Sequence, residues 1–590
     1  MPKRWAVIIG LHQILFTFFL SRALAGSPLP TPFEHYINYN PQQSALQLMS
    51  RLMPELDPST RLVFMAVLGG TQFNGKPGYT RAEMVAALKK IDLKKWKFEL
   101  LDLFVHQSNA LDAVPPSSKN WVPVFHDGLI LFLDGLNEDR LIASLAEFYF
   151  LPANATRGDR ILQFASRTPT LQKLGQIFAR NPELPPDIQK ALQTLESGIR
   201  TSTREELVEF IKNELGASNL NRYQVQFDTT ILAEASVGAI LKGSVKVPES
   251  GENHDVVFKI IKPYVLKNLP EELVVFDQVT GFFQKNMSHY AVGNIPIADL
   301  FRDIRTALSK EIQISQEEEN LGRAWEYYRN NPKIQVPRPY SISTSHVIVM
   351  DFVMGEKISS SFPSDPAKRR IMAERLSEVL TSEVVFSSKQ ESLFHGDPHA
   401  GNIFHVLNDQ KDPYKIGLLD WGLSGMFPRT QRRELVQLFL GVYLGDFKRL
   451  RNNVTALIEG DLPKDPDKLA RIDLAVRDTI SNRKVNTFDS LGDLIMRLTR
   501  EGYKVKFNIN TFIKSQVTIA GILKGLDPDF KQDNVIMRRA SRLAKRELPL
   551  RFFNTLWIAG WNSHSYRSLL SNEDVKDALF RKKPTPAQAN

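Results

Sequence analysis

The sequence predicts an α+β protein in which a small antiparallel sheet lobe precedes a helical C-lobe, with an N-terminal helical extension before both. Three observations support this bilobal prediction. Residues 26 to about 220 carry apolar side chains at spacings of three and four, which is typical of helices. From about 221 to 350, short runs rich in β-branched and aromatic residues are separated by glycine and proline. After about 355 the helical spacing returns.

Composition limits the classes of function. A chain of 590 residues with 43% hydrophobic content can bury more than one core, so two or three domains are expected. The formal charge is +10, but basic residues are interspersed with acidic ones, so we expect no nucleic-acid partner and at most peripheral contact with a membrane surface. The chain has no cysteine, which excludes disulfides, thiolate metal sites and a cysteine nucleophile. Composition does not predict the oligomeric state.

The N-terminus has the pattern of a secretory signal peptide. Lys3 and Arg4 precede an apolar stretch from Trp5 to Leu20, and Ala23-Leu24-Ala25 fits a cleavage site. We therefore expect a secreted or extracytoplasmic protein. An uncleaved segment acting as a membrane anchor is the alternative, and an organelle transit peptide fits less well. No later run of eighteen apolar residues occurs, so no other transmembrane helix is expected.

Capping residues mark the helices of the extension, which include the segments TRAEMVAALKKI, DRLIASLAEFYF and TREELVEFIKNELG. Thr80 with Glu83, and Thr203 with Glu206, have the spacing of capping boxes. Gly216 is placed where a helix C-terminus favours a left-handed residue.

The sheet lobe is predicted from the strand-like segments YQVQFDTT, AILKGSVKVP, DVVFKIIKP and SHVIVMDFV, interrupted by one long helix over Ile304–Asn330. In the C-lobe, NIFHV and KIGLLD are expected to pair as a hairpin. The predicted organisation is a signal peptide (1–25), an N-terminal helical region (26–150), a second helical extension (151–220), the sheet lobe or N-lobe (221–354), the C-lobe (355–550) and a tail (551–590).

The segment FHGDPHAGN and the later LLDWG resemble the two metal-binding motifs of a protein kinase. In kinases the catalytic-loop aspartate positions the acceptor hydroxyl, and an asparagine five residues later binds Mg²⁺. Asp397 and Asn402 have that spacing, and Asp420, at the end of a short strand, is predicted to bind the metal that bridges the nucleotide phosphates. The predicted fold is therefore protein-kinase-like.

Two upstream groups complete this prediction. Lys259 in VVFKIIK is expected to reach the α and β phosphates, and Glu317 in KEIQISQEEEN is expected to orient that lysine. Glu318 and Glu319 are interpreted as solvated neighbours. Each group alone is weak evidence. A lysine in a strand is usually an edge residue, and a carboxylate on a helix is usually surface charge. Four features in the right order, which are the lysine strand, the glutamate helix and the two aspartate motifs, predict phosphoryl transfer with ATP and Mg²⁺ as cofactors.

A zinc site on His395 and His399 is the competing interpretation of FHGDPHAGN. Two histidines four apart bind one metal when they lie on a helix, and Pro398 with Gly396 and Gly401 predicts a loop instead. We expect His395 to hydrogen-bond the loop backbone. His399 either faces the substrate or packs.

FHGDPHAGN, LLDWG and several upstream motifs together resemble the UbiB family of atypical protein-kinase-like ATPases, which is associated with ubiquinone and other isoprenoid-lipid metabolism. The resemblance covers roughly Ile161 to Gly425 and includes a Lys-x-Gly-Gln helix, an alanine-rich loop in place of a glycine-rich one, and a Glu-x-Asp helix. It implies that residues of these three motifs contribute to the nucleotide site. They are Lys173 and Gln176 of the Lys-x-Gly-Gln helix, Ala233, Ala235 and Ser236 of the alanine-rich loop, and Glu311 of the Glu-x-Asp helix.

The resemblance also implies that Gly175 lets the helix backbone approach the nucleotide region, that Lys173 pairs with Glu311, and that the acceptor is lipid-like or small rather than a polypeptide. The sequence departs from the family pattern at four positions, which are Glu234, Ala239, Gln313 and Trp421. None of the four is a phosphate or metal ligand.

Two other functions remain open. A small-molecule phosphotransferase of the aminoglycoside or choline kinase type has a similar catalytic loop, but it lacks the Lys173 helix. A non-catalytic, nucleotide-responsive binding module would bind nucleotide without turnover. The sequence names neither the acceptor nor the source of ATP in an exported location.

Overall fold

The computed structural model describes residues 48, 50–68, 72–73, 76–77, 79–152, 154–179, 183–197, 202–290, 292, 297–407, 409–460, 465–557 and 566–580. They divide into two compact units. The N-terminal unit comprises the described residues up to Thr203 together with Glu234–Val237 and Lys262–Ile312, and the C-terminal unit comprises Arg204–Ala233, Gly238–Ile261 and the residues from Gln313 onward. The units have separate buried cores, which confirms the expectation of more than one core. The predicted domain boundaries stay predictions.

The N-terminal unit is mainly helical. Its helices span Pro58–Leu68, Arg81–Leu88, Leu93–Gln107, Val122–Gly135, Glu138–Tyr149, Arg157–Ala165, Pro169–Phe178, Pro186–Ser197, Pro263–Asn286 and Ile297–Glu311, and two short strands, Gln72–Phe73 and Lys76–Pro77, pair antiparallel. The capping box of Thr80 and Glu83 is confirmed, since each side chain accepts the other residue's backbone N–H. That of Thr203 and Glu206 stays a prediction.

The single long helix predicted over Ile304–Asn330 is wrong. The chain forms two helices there, Ile297–Glu311 and Ile314–Tyr328, because Gln313 leaves helical geometry with φ −87° and ψ 60°. A further helix, Pro263–Asn286, was not predicted. It begins with proline at a first-turn position, where the missing N–H costs no hydrogen bond.

A four-stranded sheet lies in the C-terminal unit, and its strands follow the order Gln226–Glu234, Gly238–Lys246, Asn253–Ile261 and Val347–Asp351. All four predicted strands are therefore confirmed. Buried side chains from this sheet, including Leu241, Phe258 and Val349, share a core with the helix Arg204–Arg222. Gly216 has the expected positive φ of 73°, but its ψ of 153° is not that of a left-handed helix cap, and the helix continues beyond it to Arg222.

Short strands position the candidate site. Ile403–Val406 and Ile416–Leu418 pair antiparallel, which confirms the predicted hairpin. The same sheet contains Ile334–Gln335 and Gly355–Lys357, and a separate pair joins Glu391–His395 to Ser424–Pro428. The segment FHGDPHAGN thus ends one strand, crosses a loop and begins the next.

The remaining helices of the C-terminal unit surround a second core. They span Pro366–Ser377, continued by a π-helical turn at Glu378–Ser382 and by Glu383–Val385, then Arg429–Leu444, Phe447–Asn452, Pro466–Ser481, Thr487–Arg500, Phe507–Leu526, Gln532–Arg546, Leu548–Trp557 and Asn572–Phe580. Among the described residues, no helix is long and apolar enough to cross a membrane. The predicted signal peptide lies outside the described residues.

Candidate active site

Lys259, Glu317 and Asp420 come together in the C-terminal unit. The Lys259 ammonium lies 2.5 Å from Glu317 Oε1 and 3.1 Å from Asp420 Oδ2. The lysine extends from the strand Asn253–Ile261, and Glu317 lies in the first turn of the helix Ile314–Tyr328. The structure therefore joins three predicted site residues that are far apart in sequence.

The cluster stabilises the charges of Lys259 and Asp420, whereas burial raises the pKa of Glu317 above its usual value despite the nearby lysine. Burial by itself would lower the pKa of Lys259, but Asp420 and Glu317 outweigh burial and raise that pKa above its usual value. Burial also opposes ionisation of Asp420, yet the Lys259 charge and the Gly422 N–H hold the pKa of Asp420 below its usual value. The lysine therefore stays cationic and Asp420 anionic at neutral pH.

His395 orders the backbone of the catalytic loop. Its Nε2–H donates to the Leu419 carbonyl at 2.8 Å, so its Nδ1 accepts the N–H of Asp397 at 3.2 Å. This geometry agrees with the predicted structural role. Gly396 is required there because a Cβ would lie 2.7 Å from Leu423 Cγ. The Asp397 side chain is 58% exposed, so its carboxylate faces solvent.

The donor set fits a hard cation. The Asn402 side-chain N–H donates to the Asp397 carbonyl at 3.1 Å, which leaves the Asn402 amide oxygen as the group able to bind a metal. Asp420 adopts a left-handed backbone with φ 50°, uncommon for a non-glycine residue, and its Oδ1 accepts the Gly422 N–H at 3.2 Å. An amide oxygen and a carboxylate are ligands that Mg²⁺ accepts.

Trp421 fills a buried position behind this cluster. Its indole N–H donates to the Leu418 carbonyl at 3.2 Å, and its ring centroid lies 4.8 Å from that of His395. The Trp421 carbonyl accepts a hydrogen bond from Asn320 at 3.0 Å. This departure from the family pattern therefore has a complete packing and hydrogen-bonding environment.

The interpretation of Glu318 and Glu319 as solvated neighbours needs a correction. Glu319 is exposed, but Glu318 is partly buried, and burial raises its pKa above the usual value. Helical spacing explains the difference, because adjacent residues point in directions about 100° apart.

The alanine-rich loop is held by the N-terminal unit. Ala233 lies at the end of the strand Gln226–Glu234, and the turn that contains Ala235 and Ser236 follows it. The Tyr264 hydroxyl donates to the Ser236 carbonyl at 2.8 Å and lies 3.3 Å from Gln172 Oε1, next to Lys173 in sequence. The loop thus contacts the helix Pro169–Phe178 through one tyrosine.

Glu234 forms a buried ion pair. Its Oε1 lies 2.8 Å from Lys262 Nζ, and the two side chains are only 5% and 1% exposed. Burial lowers the pKa of Lys262, and Glu234 counteracts part of that shift. Because the Lys262 N–H also donates to the Val237 carbonyl at 2.9 Å, both ends of this short loop are fixed.

The Lys-x-Gly-Gln motif packs within the N-terminal unit. A Cβ on Gly175 would lie 2.4 Å from Leu195 Cδ1, so this glycine allows close packing against the helix Pro186–Ser197. The Gln176 side chain donates to the Leu195 carbonyl at 3.0 Å. The predicted pairing of Lys173 with Glu311 lies outside the described residues, because the Glu311 side chain is not described. The nucleotide roles of Lys173, Gln176 and Glu311 stay predictions.

Sequence reasoning missed three residues that organise the loop, namely Gln172, Lys262 and Tyr264. The segment IIKPY, directly after the Lys259 strand, was the available signal. A lysine that follows an apolar strand and precedes a proline is expected at a strand end. Its carboxylate partner cannot be identified by spacing.

A strand lysine paired with a helix glutamate, beside one loop aspartate and a second aspartate that follows a short strand, is the arrangement of a protein-kinase-like site. Residues 194–454 match the model of the ABC1 atypical kinase-like domain. A probable protein kinase UbiB of Shewanella woodyi is 26% identical over 48% of this chain and 50% of its own length. The chain is therefore similar to UbiB-type atypical kinase-like proteins over about half of its length, including the kinase-like residues 194–454.

Other relatives extend the comparison. The uncharacterised protein sll0005 of Synechocystis is 25% identical over 64% of this chain and 54% of its own length. The chain thus spans about half the length of these curated relatives. A solved structure of Rv3197 with erythromycin, from Mycobacterium tuberculosis, is similar with 17% identity and a TM-score of 0.40, covering 60% of this chain and 87% of that one. This structural similarity is too weak to support a functional argument.

Proposed function

We propose that this chain is an ATP-dependent phosphotransferase or ATPase that uses Mg²⁺. The observation that supports the proposal most strongly is the contact of Lys259 with both Glu317 and Asp420, beside a loop that presents Asp397. A cationic lysine held between two carboxylates is suited to binding phosphate oxygens.

Each residue has a distinct role in this proposal. Lys259 binds the α and β phosphates, and Glu317 orients its ammonium. Asn402 and Asp420 hold the cation, which neutralises charge on the phosphates when it is bound. Asp397 orients the acceptor hydroxyl or a water molecule and accepts its proton.

Asp397→Asn tests the proposal. We expect loss of ATP turnover by a factor of about 10²–10⁴, because the amide cannot accept the proton, while nucleotide affinity stays within about threefold. Turnover is measured as phosphate release, and affinity by calorimetry with Mg-ADP. Asp529→Asn, at an exposed aspartate outside the site, is the matched control.

Two outcomes separate the alternatives. If the wild-type melting temperature does not change with millimolar Mg-ATP or Mg-ADP, the proposal fails. If nucleotide binds but the wild type shows neither hydrolysis nor transfer, the chain is a nucleotide-responsive binding module. Transfer to choline or an aminoglycoside with no lipid acceptor favours the small-molecule phosphotransferase.

A lipid-like ligand, such as an isoprenoid, is the partner we propose. A cavity of about 340 Å³ in the N-terminal unit supports this, because its walls are almost entirely apolar and lack charged side chains. The helix Pro169–Phe178 contributes Leu171, Leu174, Ile177 and Phe178 to the lining. The link to ubiquinone or other isoprenoid metabolism comes from the family and is part of the same proposal.

Gly128→Leu tests the lipid proposal. A Cβ at this position makes ordinary contact with Phe283, and the larger side chain then occupies the cavity. We expect at least tenfold weaker binding of a fluorescent isoprenoid alcohol, with nucleotide binding unchanged. Leu62→Trp, at an exposed apolar position outside the cavity, is the control. Equal binding by both variants would contradict the assignment of the cavity.

Export to a secreted or extracytoplasmic location is also a proposal. It rests on Lys3, Arg4 and the apolar stretch that follows them. Mass analysis of the mature N-terminus after expression in the native host tests it. A chain that begins after residue 25 supports cleavage, and an intact terminus in the membrane fraction supports the anchor.

A further inference from the structure

A cluster of histidine and aspartate side chains lies inside the N-terminal unit, apart from the residues assigned to nucleotide chemistry. Asp102 and His106 are four residues apart on the helix Leu93–Gln107, and His126 lies on the helix Val122–Gly135. His126 Nε2 is 2.8 Å from Asp102 Oδ1, and His106 Nε2 is 3.9 Å from the same oxygen. The three potential ligand atoms all lie within 4.8 Å of one another.

These distances suit a shared metal ion. Bonds from zinc to histidine nitrogen and to carboxylate oxygen are each about 2.0–2.2 Å, so one ion can touch two atoms up to about 4.4 Å apart. The separation of up to 4.8 Å among the three ligand atoms closes to this limit with a small side-chain rotation. Because Asp102 and His106 are four residues apart, they lie on the same face of their helix. Two neighbouring helices therefore present three ligands to one point.

Asp127 and Tyr290 supply an independent second observation. Asp127 Oδ1 lies 2.9 Å from His126 Nδ1, and Asp127 Oδ2 accepts the Tyr290 hydroxyl at 2.6 Å. Asp127 and His126 are completely buried. Metal-binding histidines commonly donate the second ring N–H to a carboxylate, which fixes the tautomer and directs the other nitrogen at the ion. Here that other nitrogen, Nε2, faces Asp102.

Charge also favours an ion. Asp102 and Asp127 are both buried, and among the described residues no lysine or arginine pairs with either of them. A protonated His126 would balance one of the two negative charges. A divalent cation held by neutral imidazoles balances both, and buried charge is costly unless it is balanced.

We propose that Asp102, His106 and His126 bind one divalent transition-metal ion of the zinc class, with water as the fourth ligand. Two imidazole nitrogens favour zinc over Mg²⁺ or Ca²⁺, which prefer oxygen ligands. Asp127 is a positioning residue that acts through His126. The ion connects two helices of the N-terminal unit, a structural role that does not depend on the proposed function.

The first experiment uses the full chain. The protein is treated with a chelator, dialysed and titrated with Zn²⁺, and retained metal is measured by mass spectrometry. We expect about one equivalent per chain and a higher melting temperature. Co²⁺ is expected to give the visible absorption of a four-coordinate site with nitrogen ligands, which a hydrogen-bond network alone does not produce.

Variants locate the ion. His106→Gln is expected to weaken Zn²⁺ binding at least 100-fold, and Asp127→Asn by about 10–100-fold because its role is to orient a ligand. The partly exposed His106 makes this variant more tolerable to the fold than replacement of His126. Two control variants are expected to retain one equivalent of Zn²⁺ per chain. They are His289→Gln, at an exposed histidine of the same unit, and Asp420→Asn, in the candidate active site.

Either of two results overturns the proposal. The first is a folded wild-type chain that takes up neither Zn²⁺ nor Co²⁺ after chelation. The second is Zn²⁺ binding that survives in His106→Gln but disappears in Asp420→Asn, which would assign the metal to the nucleotide site.

Discussion

Lys259 and Lys262 are three residues apart in the chain, yet their surroundings differ completely. Lys259 keeps 20% of its side chain exposed and contacts Glu317 and Asp420, whereas Lys262 is 1% exposed and contacts Glu234. Burial lowers the pKa of Lys262, while two carboxylates raise that of Lys259. Lys259 is partly exposed and stays charged beside two carboxylates, so it is accessible to phosphate. Lys262 is enclosed with Glu234, so this ion pair has a structural role.

The largest expected effect is on turnover. Lys259→Met should reduce ATP turnover at least about 100-fold, because the phosphates lose their positive partner. Lys262→Met should reduce turnover per folded molecule less than about fivefold. Steady-state rates are corrected for the folded fraction measured by circular dichroism. Similar losses in the two variants would contradict the division of roles.

Stability should show the reverse ranking. Lys262→Met removes the cation of a buried ion pair, so we expect a loss of about 3–5 kcal/mol in the free energy of unfolding. Lys259→Met should cost about half as much or less, since Asp420 remains 44% exposed. Urea unfolding measures both. The double variant Glu234→Ala with Lys262→Met should recover most of the loss.

A smaller effect is expected at Gln313, which occupies the N-cap position of the helix that carries Glu317. Glutamine makes no side-chain cap there, and the family pattern has aspartate. Gln313→Asp should therefore stabilise the chain by about 1 kcal/mol through a bond to the first-turn N–H groups. Gln313→Ala is the control. Equal unfolding midpoints for the two variants would argue against capping.

The smallest effect is a change in acid sensitivity. The pKa of Asp420 is lowered in the folded chain, so its stabilisation is present above the ordinary value of 3.8 and is lost as pH falls through the lower folded pKa. Lys259→Met removes the main cause of this lowering. The free energy of unfolding should then fall less steeply below about pH 4 than in the wild type. Lys262→Met should keep the wild-type slope.

Local patterns predicted most of the secondary structure and the identity of the central site residues. The four strands of the sheet, the hairpin around Asn402 and the capping box at Thr80 depend on neighbours within a few residues. The prediction of one helix over Ile304–Asn330 was wrong because it also depended only on a local pattern. Its periodic pattern continues across Gln313, and periodicity does not report a single residue that leaves helical geometry.

The sequence predicts which groups carry phosphoryl-transfer chemistry, because the spacing of Asp397, Asn402 and Asp420 is a property of one local segment. Which distant groups meet depends on the tertiary structure. Lys259 and Asp420 are 161 residues apart, and Tyr290 reaches Asp127 across 163 residues. The close packing of Gly175 against Leu195, 20 residues later in the chain, likewise depends on how two helices meet. Local spacing fixes the direction of a side chain, but the path of the whole chain fixes what it contacts.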